Sequence, residues 1–238
     1  MPGLYKDEGV VLKTIKLGEA DRIVTIFTRY NGKVRAVAKG VRKTKSRFGG
    51  RLEPFTRVQL IIYRGRDLDT ITGADILAPY KGVRSEYARV AAAAAVAELV
   101  EKVMPERERA LSVYELLLAA LDGVARGADN VVPAFLVKLL SVAGFHPQLS
   151  VCAGCGGGGD LEGFSAAMGG VVCESCWDED EGAWRIGRDR VALLGTLLTS
   201  EFGCESDPIA AREVTDALRR YAEYHLERPL KSLQLLAI

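Results

Sequence analysis

Four of the five cysteines stand in two pairs, Cys152-Ala-Gly-Cys155 and Cys173-Glu-Ser-Cys176, with seventeen residues between the pairs. A CxxC sets two thiolates on one tight turn so that both reach a single ion, and a second pair on its own turn closes the tetrahedron. The residues between the pairs suffice for a small hairpin, and Gly156 stands where backbone amides must turn back toward the sulfurs. The spacing predicts one structural Zn2+ held by Cys152, Cys155, Cys173 and Cys176. Four thiolates fill the coordination sphere and leave no open position, so such a site supplies folding energy and no reaction chemistry. The rival reading, a redox dithiol, needs a single CxxC near a βαβ pattern, and none is present. Cys204, alone after Gly203, is expected to be a small buried hydrophobe.

A second constellation is cationic. Lys33, Arg35, Lys39, Arg42, Lys43, Lys45, Arg47 and Arg51 fall within nineteen residues, and from Arg29 to Arg66 twelve basic residues face Glu53 alone. The net charge of +1 hides this division. Residues 1–80 carry 16 Lys/Arg against 8 Asp/Glu, whereas residues 81–238 carry 16 against 23. Clustered cations are rewarded by phosphate backbones through counterion release, and Phe27, Tyr30 and Phe48 offer faces for unpaired bases. An ordinary solvated loop would carry acids among its Lys and Arg. This one almost lacks them, so the eight basic residues are expected to contact nucleic acid.

Nothing in the chain composes a catalytic set. There is no GxxxxGK[ST], no GxGxxG after a strand and no GxSxG. The two histidines, His146 and His225, lie far apart without a nucleophile partner. The acidic residues Glu174, Asp178, Glu179, Asp180 and Glu181 read as a solvated edge. An enzyme is therefore not expected.

The elements that must position these residues follow from periodicity. From Gly9 to about Pro79 the period is two, with strands expected at 9–15, 22–28, 33–39, 55–63 and 67–76. Asn31-Gly32 is a hairpin turn, because both residues tolerate positive φ. Val34, Ala36 and Ala38 take one face, and Lys33, Arg35, Val37 and Lys39 the other. Residues 40–51 form a polar, basic loop. Five short strands suggest an OB-type barrel, although an SH3-like barrel has a similar inventory. Helices are expected at 85–104, 107–126, 130–142, 188–200 and 209–227, with Asn130 capping the third and short links implying an antiparallel bundle. The fold class is α+β: an OB-type β-barrel over 1–80, then a helical domain over 81–238 with the zinc module inserted at about 145–185. The apolar stretches are too short to cross a bilayer, and the first twenty residues show no signal-peptide core, which points to the cytoplasm.

The order of these parts resembles a known family. Gly9-Val-Val-Leu-Lys, Gly18-Glu-Ala-Asp-Arg-Ile-Val and Gly32-Lys-Val-Arg-Ala-Val-Ala-Lys-Gly40-Val-Arg look like the start of the RecO recombination-repair proteins. Leu139-Leu-Ser-Val-Ala-Gly-Phe-His-Pro147 followed by the cysteine pairs is similar to that family's passage from helix to zinc module. His225-Leu-Glu-Arg-Pro-Leu-Lys-Ser232 resembles its C-terminal signature. The resemblance implies an OB-fold domain, a helical bundle and a zinc module in a nucleoid-associated protein. It also implies binding of single- and double-stranded DNA, annealing of complementary strands, partnership with RecR, and help in loading RecA onto DNA covered by single-stranded-DNA-binding protein. The contrasting reading is a zinc-containing adaptor whose basic face docks an acidic protein.

Overall fold

The structure, a computed structural model, describes residues 3–234 and 236. It divides into two compact units, Met1–Ala125 and Arg126–Ile238.

The first unit is built on five strands, β1 (Leu4–Leu17), β2 (Asp21–Thr28), β3 (Gly32–Ala38), β4 (Arg57–Tyr63) and β5 (Asp69–Ala78). They close in the order β1-β2-β3-β5-β4, with β3 and β5 parallel and the other pairs antiparallel. This is the OB-fold, and it decides against the SH3-like alternative. Val11, Val24, Ile26, Ala36, Ala38, Val58, Leu60, Ile62 and Ile71 fill the interior. In β3 the expected alternation holds, with Val34, Ala36 and Ala38 buried.

β1 begins five residues before the sequence pattern predicts. Its first half pairs with β4 and its second half with β2, so one long strand serves both sides of the barrel. The pattern hides this because Asp7 occupies an inward position, where an apolar residue is expected. The carboxylate is buried because it organises the β2–β3 turn. Its Oδ1 accepts from the Tyr30 amide at 3.3 Å, and its Oδ2 accepts from the Asn31 amide at 3.2 Å and the Asn31 Nδ2 at 2.7 Å. At the next position Gly32 has φ of +63°, and a Cβ there would run into the Glu108 carbonyl. Gly32→Ala is therefore expected to cost about 2 kcal/mol or more, read as a lower urea midpoint.

A second buried carboxylate, Asp69, accepts from the Tyr5 hydroxyl at 2.6 Å, the Arg107 guanidinium at 2.9 Å and the Gly65 amide at 3.1 Å. Burial alone would raise its pKa, but these donors prevail and hold it below the usual aspartate value. A lowered native pKa gives stability that is complete above about pH 4 and is lost as pH falls through the native value. Asp69→Asn should cost about 2 kcal/mol at neutral pH, discounted because Arg107 is partly exposed. The gap in urea midpoint between wild type and variant should narrow below pH 4. A gap independent of pH would contradict the charged role.

A 3-10 turn (Lys81–Arg84) leads into α1 (Tyr87–Val103) and α2 (Leu111–Arg126). α1 lies against β1 and β2. The alanines at 91, 93, 95 and 97 are all buried, and since Ala91 and Ala95 lie on one side of the helix and Ala93 and Ala97 on the other, α1 is covered on more than one face by short side chains. The helix is tied to the barrel by the Lys33 ammonium, which donates to the Glu101 carbonyl at 2.6 Å.

The second unit holds α3 (Val131–Val142), β6 (Gly163–Ser165), β7 (Gly170–Val172), α4 (Glu174–Trp177), β8 (Trp184–Arg185), α5 (Arg188–Thr199), α6 (Pro208–Leu226) and α7 (Lys231–Gln234). α3, α5 and α6 pack on one another, and α3 is apolar on nearly every side. Asn130 precedes α3 as expected, yet its side chain does not cap it. Asn130 sits at φ +53°, and its Nδ2 donates to the Cys204 carbonyl at 2.7 Å and to Ser206 Oγ at 2.8 Å. α6 carries a true cap, with Asp207 accepting from the Ala210 amide at 2.8 Å ahead of Pro208. Among the described residues no helix is long and apolar enough to cross a membrane.

Candidate functional site

The cysteine pairs sit on two turns that flank a three-stranded sheet ordered β7-β6-β8. The antiparallel β6–β7 hairpin is the one the spacing of the pairs allows for. It returns the chain so that Cys173 begins α4 beside the first pair. The sulfurs of Cys152, Cys155, Cys173 and Cys176 all lie within 4.8 Å of one another. The pair Cys155–Cys173 is 3.9 Å apart, against the edge of about 3.8 Å that a tetrahedron of Zn–S bonds requires. Gly154 makes room for the fourth ligand, since a Cβ there would stand 2.9 Å from the Cys176 sulfur. Gly156 turns at φ +73°, and its amide donates to the Cys152 carbonyl at 2.8 Å.

Cys152 and Cys176 are buried, and Val172, Leu161, Met168 and Trp177 close over them. Burial opposes ionisation of Cys152, but amides of Cys155, Cys173 and Gly154 aim at its sulfur and bring its pKa down to about 6. Within the same cluster the Cys176 thiol is pushed the other way, up to about 12, chiefly by its hydrogen bond with Cys152. The site fits a metal ion in number, distance and donor chemistry. Of the acidic run, Glu174, Asp178, Glu179 and Glu181 are exposed. Asp180 departs from it, accepting from Ser165 Oγ at 2.5 Å and the Gly182 amide at 2.9 Å. Cys204 lies partly exposed and apart from the cluster, which corrects the expectation that it is buried.

In the other unit, the loop between β3 and β4 is an ordered cap on one end of the barrel. Val41, Phe48 and Leu52 turn inward and join the barrel core. The Arg42 amide donates to the Ala20 carbonyl at 2.9 Å and the Gly40 amide to Asp21 Oδ1 at 2.7 Å, which ties the loop to the β1–β2 turn. Successive turns, Lys43 to Gly40, Ser46 to Lys43 and Arg51 to Phe48, run through its length. With its apolar residues anchored inside, Lys39, Arg42, Lys43, Lys45, Arg47 and Arg51 are left exposed. None of these six has a carboxylate within 4.0 Å among the described residues. Arg35 is exposed too but meets Glu106 at 3.8 Å, and Lys33 is half-buried against α1. Of the six exposed cations, Arg42 donates to the Gly18 carbonyl at 3.1 Å and Arg51 to the Arg47 carbonyl at 2.5 Å, so what sets the six apart from Arg35 and Lys33 is exposure without a carboxylate partner among the described residues.

Two expectations about the aromatics are corrected. Phe27 and Phe48 are both buried, because each fills an apolar position, and Arg47 lies 4.9 Å from the Phe48 ring centroid. Tyr30 is exposed but belongs to the opposite turn, flanked by Arg29 and Arg109. One cation escapes the sequence reading. A bulge at Leu12 shifts the β1–β2 register, so Lys13, Thr25 and Arg35 form one outward row and Ile15, Ile23 and Val37 the next. Lys13 thereby joins the face of Arg35, which strand alternation alone cannot show.

The sequence matches the family model for the recombination protein O N terminal over residues 1–80 and the model for its C terminal over residues 84–234. The chain belongs to the RecO family. It is 42% identical to the DNA repair protein RecO of Bifidobacterium longum subsp. infantis over 238 residues, covering 98% of both chains. It is 45% identical to that of Frankia casuarinae over 240 residues, again covering 98% of each. The RecO protein of a Nocardioides species is 44% identical over 241 residues, covering 97% of this chain and 98% of its own. RecO membership unites the barrel and the cysteine-bearing helical unit in one DNA repair lineage.

Proposed function

We propose that this RecO-family chain is a recombination mediator that binds single- and double-stranded DNA through the barrel loop and anneals complementary strands. The observation that carries the reading is the ordered loop with six exposed, uncompensated cations on an OB-fold. Lys39, Arg42, Lys43, Lys45, Arg47 and Arg51 would meet phosphates, with Arg35, Lys13 and Lys33 at the margin. Covering phosphates on two strands at once lowers the repulsion that slows annealing, and this requires no base contact. Binding and positioning account for the activity without bond chemistry. By its family resemblance the chain works with RecR and helps RecA onto DNA covered by single-stranded-DNA-binding protein.

We further propose that the four thiolates hold one structural Zn2+. When bound, the metal would link the two turns and supply folding energy to a glycine-rich segment with little core of its own.

The test is annealing of two complementary labelled oligonucleotides with and without the protein. Faster duplex formation that fades as salt rises supports the reading. Unchanged annealing, with the oligonucleotide failing to compete against an acidic protein for the loop, would favour the adaptor.

A further inference from the structure

Resting on the reading of the loop as a nucleic-acid grip, we infer that this grip recognises the phosphate chain alone, and that inorganic polyphosphate is a ligand of the same site. The loop presents guanidinium and ammonium groups and little else. Among its cation-bearing residues 39–51 the one aromatic, Phe48, is buried in the barrel core with Arg47 across its ring, and the half-buried Phe55 lies beyond them, next to β4. Phe27, one strand back, is buried as well. The neighbouring outward row, Ile15, Ile23 and Val37, is aliphatic and supplies no π-face. Stacking on aromatic rings, which normally separates a base-bearing strand from a bare polyanion, has no exposed ring among residues 39–51.

The polar chemistry points the same way. The side chains of Lys39, Arg42, Lys43, Lys45, Arg47 and Arg51 bring donors and no acceptors, so they meet phosphate oxygens but cannot accept from the exocyclic amines of adenine and cytosine. Guanidinium forks fit phosphate oxygens in pairs. The loop is held in place by Val41, Phe48 and Leu52 and by its own turns, so the cations are displayed without a folding step that bases would have to induce. Inorganic polyphosphate carries phosphate charge more densely than single-stranded DNA and therefore releases at least as many counterions when cations cover it.

The experiment titrates the zinc-loaded full chain, carrying labelled single-stranded DNA, with inorganic polyphosphate and with an abasic oligodeoxyribonucleotide of equal phosphate number. Both should displace the DNA, polyphosphate at an equal or lower phosphate concentration. The variant Arg42→Ala/Lys43→Ala/Lys45→Ala, with unchanged melting, should lose affinity for polyphosphate and DNA by the same factor, about 100-fold at 0.1 M salt. DNA that stays bound against both competitors would overturn the inference and leave the nucleic-acid reading standing. Polyphosphate that binds wild type and variant equally would overturn it by placing the ligand elsewhere. A folded protein that binds neither DNA nor polyphosphate would remove both readings together.

Discussion

Replacing Arg42, Lys43 and Lys45 together by alanine is expected to weaken DNA binding about 100-fold at 0.1 M salt and to flatten its salt dependence. Each phosphate contact to a single strand contributes about 0.7 to the slope of log K against log salt, so three lost contacts remove about 2. All three side chains are exposed and none has a carboxylate partner among the described residues, so their removal spares the barrel. The inward anchors Val41, Phe48 and Leu52 stay in place, and melting should not change. The loss should be the same for any base sequence. An unchanged slope would move the DNA contacts off this loop.

Cys152→Ser is the second large effect. Cys152 is buried, and its thiolate receives amides from both turns, so the loss breaks a ligand and leaves polar backbone facing an apolar lining. Metal content is expected to fall from one ion per chain to none. Structural zinc is worth about 10 kcal/mol or more to a small module, so melting of the C-terminal unit should fall by about 10 °C or more. The barrel belongs to the other compact unit and should keep its circular-dichroism signature and its DNA affinity. Full metal content with unchanged melting would refute the structural role. Ligand protonation gives a second handle. All four thiols must lose their protons, and Cys152 pushes the Cys176 thiol up to about 12, so metal uptake should release protons and weaken steadily as pH falls.

Much of this molecule is legible in its sequence because the strongest signals are local. The spacing of the cysteine pairs demands a turn, a hairpin and a second turn, and β6, β7 and the start of α4 supply them. Alternation in β3 places Val34, Ala36 and Ala38 inside because only that register buries them. What escapes is decided by partners remote in sequence. Asp7 breaks the apolar pattern of β1 because it serves a turn more than twenty residues on, so the strand's first half is hidden. The Leu12 bulge that moves Lys13 beside Arg35 follows from barrel closure.

Loop residues mislead for the same reason. Beside Gly49-Gly50 and six cations, Phe48 looks like a stacking platform. Its burial follows from the hydrophobic gap that an OB barrel leaves at one end, which Val41, Phe48 and Leu52 fill. That burial removes the base-stacking role and supplies the ordered cap on which the cations are displayed.

The most direct test of the central claim is a fluorescence-anisotropy titration of a labelled single-stranded oligonucleotide with the zinc-loaded chain across a salt series. Six exposed cations predict a log–log slope of about −4, the same for different base sequences. Weak binding with a slope near zero, in protein that holds its metal and melts cooperatively, would contradict the claim that this barrel grips DNA.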